Sequence, residues 1–291
     1  MIKNVFVRVT NKCNMNCPFC YVDQTSKDSF NKQQIIDTLN KLTNCNFILF
    51  GGEPLLVNSD DLLDIVNNVN GNWSITTNLT TPINNHLTLL EKMNNGITIS
   101  YDLIRPYTKE QLTIFHKNID LIKHLPLSFS SVLTPALTEQ YSAKQFCLKL
   151  DEICELHNIF PQIVLNYCIV KDDTTFNYEK IDKWLCLMYK YYCNNNIHWN
   201  CTMFESLING IPYGNFGQCN TAYVNSDGTF FNRCLHNEYK QEMTDVLNEC
   251  LSCKYNSICM GSCGMINKFK CNAPRHLYDL ILYGDNNGCT S

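Results

Sequence analysis

The sequence predicts an α/β fold of about six β–α units followed by a small cysteine-rich region. Three observations carry this. Short apolar β-type runs alternate with amphipathic helix-type stretches through roughly the first 195 residues, and such alternation implies a parallel sheet with covering helices. The 291 residues, 45% hydrophobic and 17% charged, suffice for one large domain plus a small one. The pattern then breaks. Turn signals crowd in at Asn209-Gly210, Tyr213-Gly214, Asp227-Gly228 and Gly261, and nine of the 18 cysteines lie beyond residue 200. We place a boundary near Asn200, dividing residues 1–200 from 201–291.

The elements follow from periodicity. Phe6–Thr10 reads as a strand and Asn31–Leu42 as a helix, with Asn31 and Gln34 as a capping box and Ile35, Leu39 and Leu42 on one face. Phe47–Phe50 reads as a buried strand ending in Gly51-Gly52, and Leu62, Val66 and Val69 mark a second helix. Strand Trp73–Thr77, helix Pro82–Met93 and strand Ile97–Tyr101 follow. Thr108 and Gln111 cap a fourth helix with the stripe Leu112, Phe115, Ile119 and Ile122. Then come strand Leu127–Leu133, helix Ser142–His157, strand Ile163–Val170 and helix Tyr178–Cys193. Six such units fit an open doubly wound sheet or a partial barrel; either places sites at the C-terminal strand ends.

The net charge of -4 and the lack of a basic block give no reason to bind nucleic acid. Residues 1–8 are strand-like, unlike a signal peptide, and no apolar stretch approaches the roughly 20 residues needed to span a bilayer. A cytoplasmic protein without membrane partners is expected. There, 18 cysteines are better read as reduced thiolates holding metal than as disulfides.

Cys13, Cys17 and Cys20 follow the first strand with the spacing C-x3-C-x2-C. Three thiolates can hold three irons of a four-iron cubane and leave the fourth open, whereas an electron-transfer cluster normally takes four cysteines. Zinc usually takes paired cysteines with a fourth Cys or His close by, and none follows in this loop. Gly51-Gly52-Glu53-Pro54 ends the second strand: the glycines permit close backbone approach, and the carboxylate suits an ammonium.

With these residues the sequence resembles the radical S-adenosylmethionine (SAM) superfamily. The cysteine loop is that family's hallmark, Phe19 stands at its usual aromatic position, and Gly51, Gly52 and Glu53 match its element for the methionyl amino group. Ser74–Asn78 and Ile99–Asp102 resemble further cofactor-lining segments, which adds Asn78 and Ser100 as cofactor contacts. The resemblance implies a partial (β/α)6 barrel core and a [4Fe-4S] cluster on Cys13, Cys17 and Cys20. It also implies SAM chelated at the open iron, one-electron cleavage to a 5′-deoxyadenosyl radical, and hydrogen abstraction from substrate. An electron donor such as flavodoxin or ferredoxin follows from that chemistry.

The C-terminal cysteines, Cys219-x14-Cys234, then Cys250-x2-Cys253-x5-Cys259-x3-Cys263 and x7-Cys271, resemble the seven-cysteine SPASM domain. Zinc knuckles and disulfides are the competing readings. By resemblance, Cys219, Cys234 and Cys263 hold one auxiliary [4Fe-4S] cluster, and Cys250, Cys253, Cys259 and Cys271 a second. Seven ligands leave the first cluster one short, so that it keeps an open iron or is completed by Cys201. Cys45, Cys147, Cys154, Cys168, Cys186 and Cys193 read as small buried hydrophobes, and Cys289 as a tail residue. The histidines show no metal spacing.

SPASM-bearing relatives mostly modify peptides, so the resemblance implies a peptide maturase forming a thioether, crosslink or epimer. No stretch precedes the first strand for a leader-binding domain, so a separate leader-peptide-recognition protein or direct grip by the core is expected. Formylglycine-forming relatives place Asp after the second SPASM cysteine, where this chain has Leu235. A small-molecule oxidase and a non-catalytic cluster scaffold are the other readings.

Overall fold

The computed structural model describes residues 2–25, 29–167, 178–212, 220–232, 252–259 and 273–284. In chain order the elements are β1 (Asn4–Thr10), α1 (Lys32–Leu39), β2 (Asn46–Gly51), α2 (Ser59–Asn68), β3 (Asn72–Thr77), α3 (Leu87–Glu91) and β4 (Ile97–Ser100). Next come α4 (Lys109–Ile122), β5 (Leu127–Leu133), α5 (Pro135–Gln140), α6 (Ala143–His157), β6 (Gln162–Tyr167), α7 (Tyr178–Asn194) and β7 (Asn200–Cys201). The last are α8 (Thr202–Ile208), β8 (Thr221–Val224), β9 (Phe230–Phe231), α9 (Asn256–Cys259) and α10 (Arg275–Tyr283). The fold is α/β with mostly parallel strands, and six β–α units run from β1 to α7. No helix among the described residues is long and apolar enough to cross a membrane.

The chain divides into two compact units. The first comprises Met1–Tyr101, Arg105–Ser130 and Asn220–Asn237. Its strands lie in the order β5-β4-β3-β2-β1-β8-β9, all parallel except for the antiparallel pairing of β9 with β8. β1 to β5 advance by one position each time. Right-handed crossovers therefore place α1 to α4 on one face of the sheet.

The register makes the two faces chemically distinct. One carries Val5, Val7, Val9, Phe47, Leu49, Ile75, Ile97, Ile99 and Phe129, all buried. Each such side chain contributes about 1.5–3 kcal/mol by leaving water. The other carries Phe6 and Arg8, Ile48, Thr76, Thr98 and Ser100, and Ser128 and Ser130, all half-buried. A strand alternates its side chains, so one apolar face leaves the other free for polar groups.

The second unit comprises Asp102–Ile104, Ser131–Cys219 and Glu238–Ser291. In it β6 pairs in parallel with β7, and α7 packs against α6 and α10. α10 begins after Pro274 without a side-chain cap. Asp182 of α7 supplies one: its carboxylate accepts the N–H groups of His276 at 2.8 Å and Leu277 at 3.0 Å. Asp279 of α10 in turn accepts from Tyr255 Oη at 2.6 Å and Lys254 Nζ at 2.9 Å, tying down the segment before α9.

The structure revises several sequence expectations. α1 ends at Leu39, and only half of its capping box forms. Asn31 Oδ1 accepts the Gln34 N–H, but the Asn31 N–H that Gln34 would bond is given to the Ser226 carbonyl at 2.7 Å. Gln34 packs instead against Gly228, where a Cβ would lie 2.3 Å from its Cγ. The helix expected over Pro82–Met93 shrinks to a 3-10 turn at Asn84–His86 and the short α3; Asn84, Asn85 and His86 are poor helix formers. Among elements not anticipated, α5 has a legible signal, Thr134 as N-cap with Pro135 at the first position. β8 has one too, Thr221, Tyr223 and Val224 ahead of the Asp227-Gly228 turn, although its place beside β1 is decided by the fold. The boxes at Thr108–Gln111 and Ser142–Gln145 form in full.

Candidate active site

The three loop cysteines leave β1 directly, and the ends of β2, β3 and β4 surround them. Gly51 and Gly52 are explained by that loop. A Cβ on Gly51, at φ 140°, would lie 2.2 Å from the Thr10 carbonyl oxygen, and one on Gly52 2.1 Å from that of Lys12. The backbones meet instead: the Gly52 N–H donates to Thr10 O and the Glu53 N–H to Lys12 O, both at 2.8 Å. The register slips between Arg8 and Thr10, a bulge of the kind found beside active sites. The glycines thus let β2 clasp the root of the cysteine loop.

Glu53 is 1% exposed. Its Oε1 accepts from Leu55 N at 3.0 Å and Thr77 Oγ1 at 2.7 Å, and its Oε2 from Asn78 N at 2.7 Å. Burial pushes this carboxyl above its ordinary range, and the three donors and the Arg105 charge pull the other way. Glu53 therefore fixes the exit of β3. Oε2 keeps acceptor capacity for one more donor.

Asn78 is the link to the thiols. Its Nδ2 donates to Asn14 Oδ1 at 2.9 Å and faces Cys13 Sγ at 3.6 Å. Asn14 Nδ2 reaches back to Thr80 Oγ1 at 3.0 Å and Thr81 Oγ1 at 3.2 Å. The strand exit bends through Leu79, left-handed at φ 57°. Buried Asn118 of α4 holds it by donating to Leu79 O at 2.9 Å and Thr81 O at 2.7 Å. Gln111 Nε2 supports the loop at Asn14 O, 3.0 Å away, and Gln24 Nε2 at Met15 O, also 3.0 Å.

Arg105, which no spacing rule singled out, donates from Nη1 to Cys17 Sγ at 3.4 Å, with its guanidinium 5.4 Å from the centre of the Phe19 ring. Its loop follows β4, and only folding brings it to the cysteines. Ser100 ends β4, where its carbonyl accepts from Tyr107 Oη at 3.4 Å; the bonds around the loop are made by Asn78 and Arg105.

Burial is the main force raising the Cys13 thiol, and the charges of Glu53, Cys17 and Cys20 add to it. The Cys17 and Cys20 sulfurs are therefore each within electrostatic reach of Cys13. Among the described residues no three His, Cys, Asp or Glu side chains converge on one ion. A cubane asks for something else, one thiolate per iron corner. Three cysteines on one loop, faced by the amide of Asn78 and the guanidinium of Arg105, fit it, because donors to sulfur stabilise the charged thiolate form.

Residues 7–125 match the profile of the Radical SAM superfamily. Over that stretch the chain is similar to a radical SAM domain. An uncharacterised protein of Methanocaldococcus jannaschii is 32% identical over 155 residues, 46% of this chain and 54% of the relative. Another, from Archaeoglobus fulgidus, is 29% identical over 107 residues, 35% of this chain and 26% of that one. The chain thus spans about half the length of the first relative and less of the second. Among solved structures, anSMEcpe with bound AdoMet superposes with a TM-score of 0.71 at 15% identity, covering 97% of both chains. The form with bound AdoMet and the Cp18Cys peptide gives 0.71 at 16% identity, over 97% of this chain and 96% of that one. Streptococcus suis SuiB bound to S-adenosylmethionine gives 0.58 at 16% identity, over 92% and 73%. At such identities the likeness is one of fold.

Of the expected auxiliary ligands, Cys253 is half-buried and Cys259 is buried at the end of α9, where its N–H bonds Tyr255 O at 2.8 Å. Cys219, Cys234, Cys250, Cys263 and Cys271 lie outside the described residues, as do Cys168, Leu235 and Cys289. Cys201 is wholly buried at the start of α8, and burial pushes its thiol up to about 12. Cys45, Cys147 and Cys154 are buried as expected. Cys193 is exposed, and buried Cys186 is disulfide-bonded, so neither is the free core thiol expected.

Proposed function

We propose that the chain is a radical SAM enzyme that acts on a peptide or protein substrate, with residues 201–291 forming a SPASM-type domain for two auxiliary [4Fe-4S] clusters. One observation carries the first part: Cys13, Cys17 and Cys20 share one loop, clasped by Gly51-Gly52 and faced by Asn78 and Arg105. When bound, the cluster and SAM would supply a 5′-deoxyadenosyl radical. The chain's own residues prepare for this. Burial shields Glu53 from water and Cys13 in part. The Asn78–Asn14–Thr80 bonds fix the loop, and Glu53 Oε2 can still accept from an ammonium. Arg105 would compensate thiolate charge at Cys17.

The peptide substrate is supported by the C-terminal cysteine spacing and by the fold shared with anSMEcpe, itself solved with a bound peptide. Leu235 after Cys234 weighs against formylglycine formation. Thioether, crosslink or epimer formation remains, with flavodoxin or ferredoxin as electron donor.

The test is anaerobic reconstitution followed by SAM and dithionite. We expect 5′-deoxyadenosine from the wild type and none from Cys13→Ala, Cys17→Ala or Cys20→Ala. Zinc instead of iron on the loop, or no 5′-deoxyadenosine, would overturn the reading. Deuterium transfer from a labelled peptide into 5′-deoxyadenosine would establish the substrate class.

A further inference from the structure

The polar face of the first unit's sheet holds a cation, Arg8, whose buried Nε–H meets no acceptor among the described residues. Arg8 lies on β1, opposite Phe50 in the register and two residues before Thr10. Its guanidinium carbon stands 5.8 Å from the ring centres of both Phe50 and Tyr223. These rings belong to an aromatic wall: Phe6 meets Phe50 edge-on at 5.3 Å, and Tyr223 stacks on Phe231 at 4.4 Å. Arg8 Nε is out of contact with solvent and has no hydrogen-bond partner, and among the described residues the side chain forms no ion pair.

Ring faces offset part of the loss of hydration but accept no directed hydrogen bond. A guanidinium fork matches a carboxylate, and the buried Nε–H is a donor that is costly to leave unmade. A second orphan stands nearby in the ladder. Asn225 follows β8 directly, one step beyond the Val7–Val224 pair, and its Oδ1 is likewise buried with no partner among the described residues. By alternation it shares the Tyr223 face. An unmet donor group and an unmet acceptor thus sit on neighbouring strands, on the face that leads from β1 to the cysteine loop.

We infer that Arg8, with Asn225, is a recognition site for an acidic peptide residue: the carboxylate binds the Arg8 fork between the rings, and a neighbouring amide N–H donates to Asn225 Oδ1. The identity of this occupant rests on the peptide-substrate reading above; the carboxylate requirement rests on Arg8 alone. The aromatic walls supply shape and exclude water, which strengthens the charge-assisted bonds. SAM also carries a carboxylate, so the test must separate the two sources.

The chain has four arginines, Arg8, Arg105, Arg233 and Arg275, which makes their Nε–H groups individually observable. Anaerobically reconstituted protein labelled with ¹⁵N-arginine would be titrated separately with N-acetylglutamate methylamide, its glutamine counterpart and SAM. Arg8→Gln assigns the signal; should it fail to fold, Arg8→Lys does so. We expect the Arg8 signal to shift saturably with the glutamate compound only, and to do so equally with SAM already bound. Either variant should weaken binding by about tenfold or more, the loss expected for charged hydrogen bonds. No shift, an equal response to the glutamine compound, or displacement by SAM would overturn the assignment. Production of 5′-deoxyadenosine, scored separately, distinguishes failure of this site from failure of the radical SAM reading.

Discussion

Gly52→Ala separates two explanations of the Gly-Gly pair. If the glycines serve only the approach of a ligand, the apoprotein should not notice an added methyl group. The structure says it will. The new Cβ would lie 2.1 Å from Lys12 O, 2.5 Å from Lys12 C and 2.6 Å from Asn11 O. Ordinary contact begins near 3.4 Å, so the Lys12 carbonyl must retreat by about 1.3 Å. That breaks the Glu53 N–H bond to Lys12 O and strains the Gly52 N–H bond to Thr10 O. The broken bond and the strained one together cost about 1–3 kcal/mol, and forced overpacking adds about 1–3 kcal/mol. The apoprotein should lose about 4 kcal/mol, a large part of the stability of a typical domain. Urea denaturation of metal-free wild type and variant, followed by far-ultraviolet circular dichroism, measures this. A loss under about 1 kcal/mol, within the range of ordinary surface substitutions, would refute the steric argument. If it holds, iron uptake falls too, because the displaced segment carries Cys13.

Further outcomes are expected. Burial raises the Glu53 pKa above 4.5, so the native state holds the proton more tightly than the unfolded chain. The group's stabilising contribution is then complete below that value and is lost as pH rises through the native pKa; Glu53→Gln should flatten this part of the apoprotein stability–pH profile. Asn118→Ala leaves the Leu79 and Thr81 carbonyls without their donor and should cost about 2–4 kcal/mol in the same denaturation assay. Arg105→Gln removes a cationic donor from Cys17, so an electron-paramagnetic redox titration should find the cluster potential more negative, with Arg105→Lys between. Cys201→Ala should leave iron and sulfide content unchanged, since that thiol is wholly buried; loss of one cluster would show that it is a ligand.

The legible parts of the site were those in which the chemistry is local. C-x3-C-x2-C places three thiols on one loop whatever surrounds it, and Gly51-Gly52 marks a close approach without naming the partner. The partner proved to be the Lys12 backbone. Glu53 was read from its charge as a contact for an ammonium, yet three of its bonds go to Leu55, Thr77 and Asn78. Arg105 gave no signal, because an arginine after a strand is common and only the crossover through α4 distinguishes it. Among the helices, the cap at Thr108 was read correctly because a capping box is closed within four residues, while that at Asn31 was altered by Ser226, far along the chain.

By itself the sequence determined the alternation of strands and helices, the apolar stripes of the helices, and the thiols of the loop after β1, because the 3.6-residue period and ligand spacing are properties of neighbouring residues. Only the tertiary structure decided that residues 221–224 would lie beside β1, that Asn78 and Arg105 would meet the cysteines, and that Arg8 would stand between Phe50 and Tyr223. Each of these joins segments tens to hundreds of residues apart. Their proximity comes from burying a shared apolar face, which no local pattern encodes.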